Sequence, residues 1–283
     1  MQHIQLAMSE SKASKSLAIW HLLGFVLVIS LNSLAVLLPL NGKSTGELSD
    51  QYPNLFTPAG LTFSIWSVIY LFLLGFIIFQ FTVLFKATHA ARKKILNISS
   101  PFLVNCLANA GWIAAWHYEQ VVLSVVIMLV LLTSLAIIHE RLKLALPLKP
   151  LAEKCLLDLP FSLYFGWIAI ATIANITALL VHLGWNGAGI SAPLWTVIMI
   201  CIGTILNIYM VMGRNNIAFG LVGIWAFYGI IIKRQPADDE NTQHIIFCAQ
   251  ICITFLVFAI LIQIFKHWKK SADAVGTGKT VVQ

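Results

Sequence analysis

Residues Leu159–Leu183 read LPFSLYFGWIAIATIANITALLVHL, twenty-five residues without an Asp, Glu, Lys or Arg. As a helix this stretch rises ~37 Å at ~1.5 Å per residue, more than the ~30 Å hydrocarbon core of a bilayer. Seven further apolar runs resemble it: Leu17–Leu40, Leu61–Phe85, Asn97–Trp116, Gln120–His139, Pro193–Met212, Ile217–Ile232 and Ile245–Phe265. Of the 283 residues 59% are hydrophobic and only 10% charged, against ~25% charged in ordinary soluble domains. With a mean hydropathy of +0.86, this excludes a soluble globular protein. The expected fold is all-α, a polytopic transmembrane bundle of about eight spans. The seventh run, with 16 residues, covers only ~24 Å and has to thin the bilayer or be shielded by its neighbours.

The charges are divided by side. With the N-terminus inside, fifteen of the eighteen Lys and Arg fall on the cytoplasmic face: Lys12, Lys15, Lys86, Arg92, Lys93, Lys94, Arg141, Lys143, Lys149, Lys154, Arg214, Lys266, Lys269, Lys270 and Lys279. Only Lys43, Lys233 and Arg234 face outward, beside six acids: Glu47, Asp50, Glu119, Asp238, Asp239 and Glu240. Positive loops are retained inside, so both termini are expected in the cytoplasm, most simply of a plasma or bacterial inner membrane. The formal charge of +7 is then topological, meeting anionic lipid headgroups rather than nucleic acid. Lys12 and Lys15 before an apolar run, with Ser33-Leu34-Ala35 after it, resemble a cleaved signal. The run continues to Leu40, however, beyond the usual ~7–15 apolar residues of such a signal, and is taken as a retained span.

Several chemistries are missing. No Asp, Glu, Lys or Arg stands well inside a span, Glu119 and Asp158 lying at boundaries, which disfavours a proton- or sodium-coupled transporter. His139-Glu140 opens like a zinc-protease helix but has Lys143 where the second histidine belongs. Gly184, Gly187 and Gly189 form an outer loop without the Lys-Ser/Thr of a phosphate cradle. Cys106, Cys155, Cys201, Cys248 and Cys252 are odd in number and lie in or beside apolar runs, so no disulfide framework or metal cluster is readable. Cys248 and Cys252, one turn apart, are taken as small core residues rather than a metal pair. No catalytic residue, cofactor or metal is expected.

The polar groups at membrane depth are mostly amides: Asn32, Gln80, Asn105, Asn109, Asn175, Asn207, Gln250 and Gln263. Singly, each fits an interhelical hydrogen bond of ~1 kcal/mol. Some share helical stripes with aromatics. In span two Phe63, Trp66 and Tyr70 align; in span three, Asn105, Asn109, Trp112 and Trp116; in span five, Tyr164, Trp167, Ala171 and Asn175. Trp20, Trp268, Trp185 and Trp195 fall at span ends, as interfacial tryptophans do. Trp66, Trp112, Trp167 and Trp225 lie deeper, where an indole N–H needs a partner or a ligand. Converging rings with a few amides compose a pocket for a flat hydrophobic molecule.

On these stripes the sequence resembles the TspO/MBR family, the tryptophan-rich sensory proteins related to the mitochondrial translocator protein. Pro58, Trp66 and Tyr70, with Phe63, match the family's second-helix motif. Asn109, Trp112 and Trp116 match its third, and Tyr164, Trp167, Ala171 and Asn175 its fifth, with Leu163 where the family has proline. Gly60 replaces a loop tryptophan, and three further spans follow the five that carry the motifs. The resemblance implies an N-terminal cytoplasmic segment (1–16), a five-helix core (17–183), three additional helices (184–268) and a cytoplasmic tail (269–283). It implies a receptor or carrier for a porphyrin or sterol-like ligand in a bundle cavity, with Asn41 to Thr57 as its lid. Binding is expected at Phe63, Trp66, Tyr70, Asn105, Asn109, Trp112, Trp116, Tyr164, Trp167, Ala171 and Asn175. Alternatives are a permease for a small neutral solute, a membrane protein that oxidatively degrades tetrapyrrole, and a purely structural membrane partner. The segment from Gly220 to Trp225 either completes the cavity or builds a homodimer face through its glycines.

Overall fold

In a hydrocarbon solvent each backbone N–H and C=O has to be satisfied within its own segment, which makes helix the outcome for every long apolar run. The computed structural model describes residues 2–38, 40–86, 91–143, 149–237 and 239–276, with side chains between Ser14 and Lys270. The Lys12 side chain, Asp238 and Lys279 lie outside these described residues. The elements are α1 (Gln2–Leu37), α2 (Thr45–Asp50), α3 (Ile65–Leu84), α4 (Arg92–His117), α5 (Val121–Leu142), the single turn α6 (Leu151–Glu153), α7 (Leu159–His182), α8 (Ala192–Ile208), α9 (Ile217–Arg234) and α10 (Glu240–Gly276). No strand occurs among them. Eight helices are long and apolar enough to cross a membrane. The chain is an integral, multi-pass, all-α membrane protein, as its hydropathy predicts.

Boundaries move where charged side chains find partners. α4 begins at Arg92 rather than Asn97, because Arg92 donates to the Leu84 carbonyl at 2.8 Å and Lys94 pairs with Glu153. α9 extends through Arg234, its 18 residues spanning ~27 Å rather than ~24 Å. Its Lys233 pairs with Asp50, so the helix keeps its last turn. Asp158 is not an open boundary group: Lys149 Nζ reaches its two carboxylate oxygens at 2.8 and 2.7 Å, with both side chains nearly buried.

α1, α3, α4, α5 and α7 pack around one core, with α9 against α7 and α10 against both α8 and α9. Deeper in the bundle than Trp66, Trp112 and Trp167, the rings of Phe76, Phe102 and Phe161 meet edge-on, with centroids 5.0 to 5.9 Å apart. The glycines of α9 make their close approach within the chain. A Cβ at Gly223 would stand 2.4 Å from Asn207 Oδ1, one at Gly220 2.4 Å from Val211, and one at Gly229 2.0 Å from Thr62 Oγ1. Trp225 turns to the same place, its Nε1 donating to the Thr62 carbonyl at 2.9 Å. This segment therefore buttresses the 3₁₀ turn Gly60–Ser64 that leads into α3.

Candidate functional site

Ser44-Thr45-Gly46-Glu47 carries the spacing of a capping box, and it starts α2 in the loop between the first two spans. The Ser44 hydroxyl accepts from the Glu47 amide at 3.3 Å, and the Glu47 carboxylate accepts from the Ser44 amide at 2.7 Å. That amide, with the Ser44 hydroxyl, holds the Glu47 carboxyl below the usual carboxylate range. Leu48 and Phe56 point inward and are fully buried. Tyr52 packs its ring 5.7 Å from that of Trp116, and burial pushes its hydroxyl above the ordinary tyrosine value.

The last turn of α4 latches this lid. His117, wholly buried, places Nδ1 3.0 Å from the Leu40 carbonyl and Nε2 3.1 Å from the Thr45 hydroxyl. A carbonyl only accepts, so Nδ1 carries the proton and Nε2 receives the Thr45 hydroxyl. Asn41 donates to the His117 carbonyl at 3.0 Å, and Lys43 pairs with Glu119 at 2.8 Å. From the other side α9 holds the lid through Lys233 to Asp50 and through the Gly229 carbonyl, which accepts from the Ala59 amide at 3.0 Å.

Under the lid lies a cavity of about 40 Å³. Thr45, Ser49 and Pro58 roof it, Phe63 and Trp66 enter from α3 and its leading turn, and Trp112 and Trp116 from α4. α7 supplies Trp167, Ile170, Ala171, Ala174 and Asn175. Trp167 is met edge-on by Phe63 and Trp66 at 5.9 and 6.2 Å, while Trp112 and Trp116 stack at 6.0 Å. Two of the indole N–H groups are used: Trp112 donates to Asn175 Oδ1 at 3.0 Å and Trp116 to the Thr45 carbonyl at 3.3 Å. Ser124 fixes that amide by accepting from Asn175 Nδ2 at 3.0 Å. Trp167 Nε1 is buried and has no acceptor among the described residues, an omission that costs about 1–3 kcal/mol.

Of the eleven residues expected at the site, seven line this cavity: Phe63, Trp66, Trp112, Trp116, Trp167, Ala171 and Asn175. Tyr70, Asn109 and Tyr164 form the layer behind it. Asn32 donates to Asn109 Oδ1 at 2.8 Å, Asn109 donates to the Tyr164 hydroxyl at 2.7 Å, and Tyr70 stacks on Trp66 at 5.4 Å. Asn105 stands apart, tying α4 to α5 through Ser134 Oγ at 2.8 Å. Sequence reasoning missed Thr45, Ser49, Ile170 and Ala174 in the lining, Ser124 behind Asn175, and the His117 latch. The capping-box spacing was the one available signal, since it places a helix in the loop and Thr45 in its first turn.

Among the described residues the lining has no ionisable side chain; it can stack a flat apolar molecule and offer it the Trp167 N–H. At ~10–15 Å³ of such space per water, the cavity holds only a few waters as it stands, and a tetrapyrrole-sized guest requires the lid or the wall side chains to move. A roomier apolar space of about 510 Å³ lies on the other side of α7, against α8 and the lid strip Pro53–Phe56. Three of its polar side chains are bonded within the chain. Trp195 donates to the Gly187 carbonyl at 2.7 Å, Thr177 to Ile173 and Thr196 to Ala192. It therefore suits hydrocarbon chains rather than a directed ligand.

A family model described as TSPO-like protein matches residues 18–262, a stretch that reaches into each of the eight crossing helices. No curated protein and no solved structure gives a match.

Proposed function

The chain belongs to the TSPO-like protein family, and on that premise we propose that it is a membrane receptor or carrier for a neutral, planar hydrophobic molecule of the tetrapyrrole class. The observation that carries this is Trp167: a buried indole N–H without an acceptor, in the wall of an aromatic cavity, beneath a lid held by hydrogen bonds. A ring nitrogen or carbonyl oxygen of the ligand would accept from it, with the Trp66 and Phe63 rings as stacking surfaces. The lid would open by releasing the His117 and Glu119 contacts and close over the bound molecule. The distribution of lysine and arginine supports both termini in the cytoplasm, which would put the lid on the outer face. The amides behind the cavity are bonded to one another and to Tyr164, which favours binding over passage.

The test is a titration of detergent-purified protein with protoporphyrin, following quenching of tryptophan fluorescence. Saturable quenching is expected. Trp167→Phe keeps a ring and removes the donor, and should weaken binding roughly fivefold to tenfold, the value of one hydrogen bond of ~1 kcal/mol. Equal affinity in parent and variant removes Trp167 from the site, and an unsaturable signal removes the tetrapyrrole.

A further inference from the structure

Cys201 on α8 and Cys248 and Cys252 on α10 are far apart in sequence, yet their sulfurs all lie within 4.8 Å of one another. Cys248 and Cys252 are four residues apart and share one face of α10, and α10 packs directly on α8. Cys201 stands near the middle of the span Ala192–Gly213. We propose that these three thiols form a binding site for a soft, closed-shell cation, Cu(I) or Zn(II), that ties α8 to α10 within the membrane.

The geometry is close to what such a cation needs. Three sulfurs at ~2.3 Å from one centre stand ~4 Å apart, so the cluster closes with side-chain movements of less than ~1 Å. The ligand set is uniform: no imidazole or carboxylate joins the three sulfurs among the described residues. Thiolate sets of this kind select Cu(I) and Zn(II) over harder cations. Cys252 is buried, Cys248 half-buried and Cys201 exposed on the bundle surface, where mid-span exposure means contact with lipid. Cys106 and Cys155 lie outside it and serve as internal controls.

Binding displaces protons. As the cation arrives two thiols ionise and release two protons to the buffer; the two thiolates and the neutral sulfur of the third thiol are its three ligands. Zn(II) on two thiolates leaves no net charge, which suits a low-dielectric surrounding. It also leaves zinc short of its usual four ligands. Cu(I) on two thiolates carries one negative charge but accepts fewer ligands. The two cations therefore make opposite demands on the same sulfurs.

The experiment uses the full chain in detergent, reduced and stripped of metal. It is titrated separately with Zn(II) and Cu(I) against a competing chromophoric chelator. One equivalent of at least one cation is expected, and the tighter of the two identifies the ion. Affinity should fall at least about tenfold in Cys201→Ser and in Cys252→Ser and stay unchanged when Cys106 and Cys155 are both replaced by serine. Cys201 is exposed, so its variant keeps the packing of the bundle. A rise in Tm on adding the cation, present in the parent and absent in Cys201→Ser, supports the tie between α8 and α10. Failure of both cations to compete with the chelator, or binding that persists when all three cysteines are serine, overturns the proposal.

Discussion

α3, α4 and α7 each contribute one ring to two aromatic clusters at different depths. Away from the lid the rings are Phe76, Phe102 and Phe161, all essentially fully buried and edge-on at 5.0 to 5.9 Å. Toward the lid they are Trp66, Trp112 and Trp167 around about 40 Å³ of space. Phenyl rings satisfy one another through edge-to-face contact, and three of them close the bundle without a polar atom. An indole brings an N–H that has to be aimed, and the chain aims two of them, Trp112 at Asn175 and Trp116 at the lid. Trp167 is left without an acceptor among the described residues. The same three helices thus make a plug where the residues are phenylalanine and a site where they are tryptophan.

The largest effect should come from breaking the plug. Phe161→Ala opens a cavity between Phe76 and Phe102. The loss is on the order of 2–3 kcal/mol, below the ~3–5 kcal/mol of a water-soluble core, because lipid is about as apolar as the side chain removed. Thermal unfolding in detergent checks this. Porphyrin affinity per folded molecule should stay close to the parent's; a Kd that moves with Tm would show that plug and site are one cooperative unit.

Asn175→Leu comes next and reverses the balance. It strands the Trp112 N–H and takes a donor from Ser124, for about 1–2 kcal/mol of stability. It also frees Trp112 to turn in the cavity wall, so ligand affinity should change more than stability does. An unaltered protoporphyrin Kd would mean that the orientation of Trp112 has no part in binding.

The two clusters also differ in how far the sequence discloses them. The eight crossing helices were legible because twenty or so uncharged residues in lipid have few structural options. Seven of the lining residues were legible because aromatics and amides recur on one stripe of each helix. The pairing of Asn175 with Trp112, and of Asn109 with Tyr164 rather than with the cavity, depends on the axial register of α4 against α7. Stripe position alone does not set that register. Cys201 was invisible as a partner of Cys248 and Cys252 for the same reason, since only the packing of α8 on α10 joins them. The lid was half legible: Ser44 and Glu47 carry the capping box, but a four-residue motif without an apolar run cannot show that His117 holds it down.

The smallest effect concerns that lid and leaves the phenylalanine plug untouched. Glu47 has its folded-state pKa lowered by the Ser44 amide and hydroxyl. The stabilisation it gives α2 is therefore complete above the unfolded carboxylate value of ~4.3 and is lost as pH falls through the lower folded value. Amide hydrogen exchange over Thr45–Asp50 should accelerate on acidification through that window, after correction for the intrinsic pH dependence of exchange. Exchange in α7 around Phe161 should not. Glu47→Gln keeps an acceptor for the Ser44 amide but no titratable group, so its lid should be slightly less protected at neutral pH and show no step in acid. If parent and variant share one pH profile, the capping carboxylate is not what holds α2, and the lid rests on His117 and the Lys43–Glu119 pair instead.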